Sequence, residues 1–223
     1  FWRVLDAGDV YETWGKMDEA LELYQRCRGA AEDLVQVRST PEGQRDLSAS
    51  YNRVAGIYEV QGKMEKALEL YRQGLEIAEE LAQTRGTPED QHDLSVSYNR
   101  VADINSAQGK LEEALELYQQ GLEIAEELVQ TRGTPEDQRD LSVSYDRIAN
   151  IYKAQGKMEK SLKLYQQGLK IAEELVQIRG TPEDQRDLSV SYERIAGIYG
   201  AQGRLEEALK LYQQELAITE ELA

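Results

Sequence analysis

Apolar residues recur along the chain at steps of three and four. Within residues 87–133, Leu94, Tyr98, Val101, Ala102 and Ile104 fall on one stripe. Leu111, Ala114, Leu115, Tyr118, Leu122, Ala125, Leu128 and Val129 fall on a second. Charged and amide side chains fill the positions between, as in amphipathic helices that bury one face. The first stripe predicts a helix over residues 88 to about 108. Thr87 is its N-cap, Pro88 takes the first helical position, and Asp90 sits where a capping box sets its carboxylate. Gly109 interrupts the pattern and allows a tight turn. The second stripe predicts a helix from about 110 to 132, with Glu112 and Glu113 in its first turn and Arg132 in its last, as the helix dipole prefers. Gly133 supplies a left-handed closing residue and Thr134 caps the next helix at once. Links this short force neighbouring helices antiparallel. No strand pattern interrupts them.

The same text returns every 47 residues. The units are 1–39, which lacks its opening, then 40–86, 87–133, 134–180 and 181–223. A fixed period of this size marks a stacked array, in which each unit buries its apolar side on its neighbour. One elongated domain of about ten helices in five pairs is therefore expected, with the first helix shortened. Phe1 is not an initiator Met and falls inside a repeat, so the chain reads as a piece of a longer protein.

The period alone suggests HEAT or armadillo units. The lettering inside each unit points elsewhere. Tyr51, Val54, Ala55 and Tyr58 are followed by Gly62, Ala67 and Tyr71. The set recurs as Ala102, Gly109, Ala114 and Tyr118, as Ala149, Tyr152, Gly156 and Tyr165, and as Ala196, Tyr199, Gly203, Ala208 and Tyr212. Gly8, Tyr11, Gly15, Ala20 and Tyr24 match in the first unit. Small residues at Ala55 and Ala67 let two helix backbones approach, and the 13 tyrosines fill the flanking columns as packing. This resembles the tetratricopeptide repeat signature. The proline that usually ends the second helix is absent, with Glu79 in its place, so the units are similar to the longer repeats of the kinesin light chain branch. The resemblance implies an all-α, right-handed superhelical solenoid of antiparallel helix pairs, whose concave wall is lined by the first helix of each pair.

Comparing the copies with one another marks candidate binding residues. Three first-helix columns vary. They read Leu5, Asn52, Asn99, Asp146, Glu193; then Asp9, Gly56, Asp103, Asn150, Gly197; then Glu12, Glu59, Ser106, Lys153, Gly200. Their i, i+4, i+7 spacing puts them on one helix face. That face carries few large apolar residues, so core is not expected there, and the resemblance places it on the groove wall. Beside it run an arginine ladder, Arg53, Arg100, Arg147 and Arg194, and an apolar ladder, Ala49, Val96, Val143 and Val190. An extended peptide could lie on such a floor, with Asn amides bonding its backbone and Arg pairing a carboxylate. Two plainer readings stay open. The varying columns are unconstrained surface, or the arginines pair with carboxylates such as Asp46 or Asp93 and staple repeats together. Asn105 replaces a column tyrosine beside Ser106, which leaves either space for water or a partner side chain, or simple drift.

Composition narrows the chemistry. The formal charge of −16 opposes a phosphate backbone and favours partners with a basic segment. Residues 134–180 stand apart, with Lys153, Lys157, Lys160, Lys163 and Lys170 forming either a solvated face or a dock for an acidic partner. No apolar run is long enough to span a membrane. The single cysteine, Cys27, shares a column with Gly74, Gly121 and Gly168, and a lone thiol suits a reducing, cytoplasmic setting. The single histidine, His92, shares a column with Arg45, Arg139 and Arg186 and is expected at the surface. These make no nucleophile–base pair and no metal set, and the glycines are helix stops rather than a phosphate loop. No catalytic residue, cofactor or metal is expected. The sequence therefore reads as a non-catalytic protein-interaction scaffold that binds a peptide or helix of a partner protein along the concave face. A head-to-tail self-associating array, with uncapped apolar ends at Phe1–Trp2 and Ala223, and a regulatory segment of a larger signalling enzyme are the competing readings.

Overall fold

The computed structural model describes residues 2–222, with Trp2 and Arg3 described for their backbone alone. Ten helices and no strand occur among the described residues: α1 (Trp2–Thr13), α2 (Met17–Val37), α3 (Pro41–Val60), α4 (Met64–Thr84), α5 (Pro88–Ala107), α6 (Leu111–Thr131), α7 (Pro135–Ala154), α8 (Met158–Ile178), α9 (Pro182–Ala201) and α10 (Leu205–Leu222). The expected boundaries hold to one residue at each end of α5 and α6. As anticipated, α1 is short, at 12 residues against 20 for the later first helices. No described helix is long and apolar enough to cross a membrane.

The turn inside each pair is a Schellman closure. Gly109 has φ +78°, its N–H donates to Ser106 O at 2.9 Å, and Lys110 N–H donates to Asn105 O at 2.9 Å. The left-handed φ suits glycine, which has no Cβ to clash. Between repeats the chain recoils through Gly133 (φ +61°) straight into the Thr134 cap.

The chain divides into two compact units, one ending at Leu117 and one beginning at Tyr118. In the first, each helix from α1 to α5 packs on the next. Its core joins Ala20, Tyr24, Val54, Ala55, Ile57, Ala67, Tyr71, Val101 and Ile104. In the second, α7 to α10 pack in chain order around Ala149, Tyr165, Ile195 and Ile198, with a further cluster of Ala172, Leu188 and Tyr192. The fully buried alanines let backbones approach closely, and the tyrosine rings fill the space beside them.

Repeat joints carry a charged latch. In the first unit the Asp90 carboxylate is fully buried. It accepts from the Thr87 amide and hydroxyl, meets Arg85 from the end of α4 at 3.2 Å and Arg45 from α3 at 2.6 Å. In the second unit Asp184 repeats this, with Thr181, with Arg179 at 2.6 Å and with Arg139 at 2.9 Å. Burial alone would raise the Asp184 carboxyl, but the Arg179 fork and the Thr181 donors pull it down to about 2. At the first joint Gly43 replaces the aspartate, and Thr40 caps α3 without a reciprocal carboxylate.

Candidate groove on the first helices

Three serial features of the sequence shape the first-helix face. Ser48 and Ser142 sit opposite glycines of the second helix, and their hydroxyls donate to Gly74 O (3.1 Å) and Gly168 O (3.3 Å). Those glycines leave a trough. A Cβ on Gly74 would stand 3.2 Å from Asn52 Oδ1, and one on Gly168 would stand 3.3 Å from Asp146 Oδ1. The first varying column therefore lies deeper than its polarity suggested. Leu5, Asn99 and Asp146 are buried, Asn52 is half-buried and only Glu193 is exposed. The expectation that this column lies outside the core needs that correction, and its cause is the missing side chain on the facing helix.

The second and third varying columns meet the tips of the buried tyrosines. Tyr24 donates to Asp9 at 2.5 Å and to Glu12 at 3.0 Å, Tyr71 to Glu59 at 2.9 Å, and Tyr165 to Asn150 at 2.6 Å. Each ring is core while its hydroxyl serves the variable face, so the rings are packing and the hydroxyls are part of the site. Where Gly56 stands there is no side chain to receive Tyr71, and that hydroxyl uses Glu59 instead.

Two arginines of the ladder are engaged, with other partners than expected. Arg53 pairs with Asp9 at 3.0 Å, and Arg194 pairs with Asp146. Asp93 is taken by Arg45 at 2.9 Å, so the ladder does not use it, and no pairing of Asp46 with the ladder is seen. These pairs join α1 to α3 and α7 to α9, a juxtaposition that a one-dimensional reading does not show.

In the second unit these residues enclose one cavity of about 350 Å³ between α7, α8 and α9. Asp146, Arg147, Asn150 and Arg194 line it, with Val143 and Val190 as its apolar floor. Both valines are 38% exposed. Arg139 and Asp187, paired at 2.8 Å, close one wall. Burial pushes the Asp146 carboxyl up to about 6, and the Arg194 guanidinium only partly offsets that. Of the anticipated residues in this unit, Lys153, Glu193 and Gly197 lie outside the lining. In the first unit Asn52, Arg53, Gly56 and Glu59 share α3, and Asn99, Arg100, Asp103 and Ser106 share α5. Sequence reading missed Arg139, Asp187, Ser142 and Ser191. Their columns scarcely vary between copies, so variation could not point to them. The lysine-rich surface of 134–180 is partly used internally, with Lys157 and Lys160 over the Tyr152 ring at 5.7 and 5.4 Å.

A tetratricopeptide repeat profile matches residues 46–127 and 140–221, and a second profile of the same description matches residues 5–33. No curated protein matches the chain. Among solved structures, BtubC (BKLC) from P. vanneervenii superposes with a TM-score of 0.74 at 20% identity, over 96% of this chain and 78% of that one. A protein of Podosopora anserina, described as a kinesin light chain with nearly identical TPR-like repeats, gives 0.70 at 23%, over 98% and 94%. The Rap conjugation gene regulator of plasmid pLS20, in complex with the Phr* peptide, gives 0.67 at 13%, over 98% and 53%. These likenesses speak to the fold. With the profiles covering most of its length, and with paired helices locked by alanine and tyrosine columns, the chain belongs to the tetratricopeptide repeat family.

Proposed function

We propose that the chain is a non-catalytic protein-interaction scaffold that holds an extended peptide of a partner protein against α7 and α9. The observation that carries this reading is the α7–α9 cavity, where two half-exposed valines lie between arginines and a buried carboxylate. Exposed apolar floor flanked by fixed polar groups is the usual make-up of a peptide site. A structural neighbour of the same fold is a peptide complex, which supports the class of ligand. Alternate apolar side chains of the peptide rest on Val143 and Val190. Arg147 and Arg194 take a carboxylate, and Asn150 takes a backbone group. The net charge of −16 draws in partners with basic flanking segments and speeds encounter, while the groove itself sets register.

Selection from a displayed random-peptide library is the direct test. Binders are expected to lose about tenfold in affinity, roughly 1.4 kcal/mol, on Val143→Glu or Val190→Glu. Val60→Glu, at an exposed site on α3, should leave them unchanged. Binders indifferent to both groove substitutions would overturn the proposal.

One observation favours self-association as a second reading. Tyr212 is 42% exposed, whereas its column mate Tyr165 is 1% exposed, and Leu205, Leu209 and Leu216 are exposed beside it on α10. At the other end Val10 is exposed in the column where Ile57 and Ile104 are fully buried. Phe1 and the Trp2 side chain lie outside the described residues. Both are apolar faces of the kind that stacked repeats bury against a neighbour. Sedimentation across a concentration series is expected to show mass rising with concentration, and a constant monomer excludes this reading.

A further inference from the structure

The tyrosine column beside the intra-repeat turn is filled at Tyr11, Tyr58, Tyr152 and Tyr199 and holds Asn105 in one repeat only. Where the ring is present, a cation from the turn accompanies it each time. A basic side chain from the turn lies over it: Lys63 at 5.5 Å on Tyr58, Lys157 at 5.7 Å on Tyr152 and Arg204 at 3.8 Å on Tyr199. An amide from the preceding second helix reaches the hydroxyl, Gln25 to Tyr58 at 3.2 Å and Gln166 to Tyr199 at 3.5 Å. Leu21 packs on the same core beside Tyr58.

At Asn105 the turn lysine and the column leucine persist and the ring is gone. Lys110 stands where Lys63 stands, held in the same pose: its ammonium donates to Gln108 Oε1 at 2.7 Å, as Lys63 does to Gln61. Arg72 occupies the position of Gln25, and Leu68 that of Leu21. Together with Glu65, Glu69 and Gln108 these residues border a cleft of about 630 Å³. Asn105 itself is 4% exposed, and its carboxamide oxygen lacks a hydrogen-bond partner. Buried amide oxygens are normally paired, and Asn105 itself does not line the cleft.

We infer that this cleft is a docking pocket for an aromatic side chain of a partner protein, a tyrosine, inserted where the repeat lacks its own. The ring lies on Leu68 under the Lys110 ammonium, a cation–π contact already formed in four sister repeats. Its hydroxyl is within the province of Arg72, as the sister hydroxyls are of Gln25 and Gln166. Because the cation is already positioned by Gln108, little order is lost on binding. The site is carried by α4, α5 and the turn before α6, so it stands independently of the α7–α9 groove.

N-acetyl-tyrosinamide serves as the probe, with N-acetyl-leucinamide as its non-aromatic control, on the full 223-residue chain. Methyl resonances of Leu68 and the amide of Lys110 are followed by NMR. Saturable shifts with the tyrosine probe and none with the leucine probe are expected. Asn105→Tyr should fill the pocket and abolish them, and Lys110→Ala should weaken binding about threefold. Shifts that persist in Asn105→Tyr, equal shifts from the leucine probe, or no shift at all overturn the inference. Should Asn105→Tyr fail to fold, Lys110→Ala and Arg72→Ala decide: unchanged affinity in both overturns it, and weakened affinity in both supports it.

Discussion

Asp184→Ala is expected to cost about 2–4 kcal/mol in urea unfolding, combining a lost helix cap with two arginines left facing a joint without their counter-charge. The carboxylate is fully buried and takes bonds from Thr181, Arg179 and Arg139, so its removal strands several donors at once. Asp187→Ala is the control. Its carboxylate also meets Arg139, at 2.8 Å, but is 47% exposed, and a pair in water contributes at most about 1 kcal/mol. Similar losses from the two substitutions would mean that the buried latch does not hold the joint. The pH response has a definite sign. With its folded pKa near 2, below that of a free carboxyl, Asp184 contributes stability above about pH 4 that is lost as pH falls through 2.

Asp146 behaves in the opposite sense. Its folded pKa of about 6 lies above the unfolded value near 3.9, so the native state holds this proton more tightly. Its contribution is fully present below about pH 4 and is lost as pH rises through 6, a difference of about 2–3 kcal/mol. Asp146→Asn should remove that slope, leaving the variant more stable than the parent at pH 8 and no more stable at pH 4. The same column already carries Asn52 and Asn99, so the backbone has room for the amide. Paired urea titrations at the two pH values decide it. A parent–variant difference that stays constant with pH would place the burial penalty elsewhere.

How much of this was legible beforehand depends on the range of the interaction. The Thr-Pro-Glu-Asp openings and the turn glycines act within five residues. They located the ends of α5 and α6 to within one residue, and the alanine and tyrosine columns identified the family. The depth of the first varying column was not legible, because it depends on Gly74 and Gly168 across the hairpin rather than on Asn52 or Asp146. Nor were the partners of Arg53 and Arg194, which are set by how neighbouring first helices slide along each other. The α7–α9 cavity was half visible: Asp146, Arg147, Asn150 and Arg194 stood out by variation or by ladder, and Arg139 and Asp187 did not, since they vary little between copies. The substitution at Asn105 was visible as a letter, but the cleft beside it needed Lys110, Arg72 and Leu68 placed in space.

Gly43 has its own consequence. It occupies the seat that Asp90 and Asp184 fill at later joints, so the α2–α3 seam lacks the buried latch and keeps apolar packing, a one-sided cap and the Gln25–Tyr58 and Tyr51–Glu32 hydrogen bonds. In its unit this seam is the cheapest to part. Opening this seam while α3 to α5 stay helical would uncover Val54 and Ile57. Within this unit, then, the buried aspartate at a joint does more than cap a helix: it sets which seam opens last.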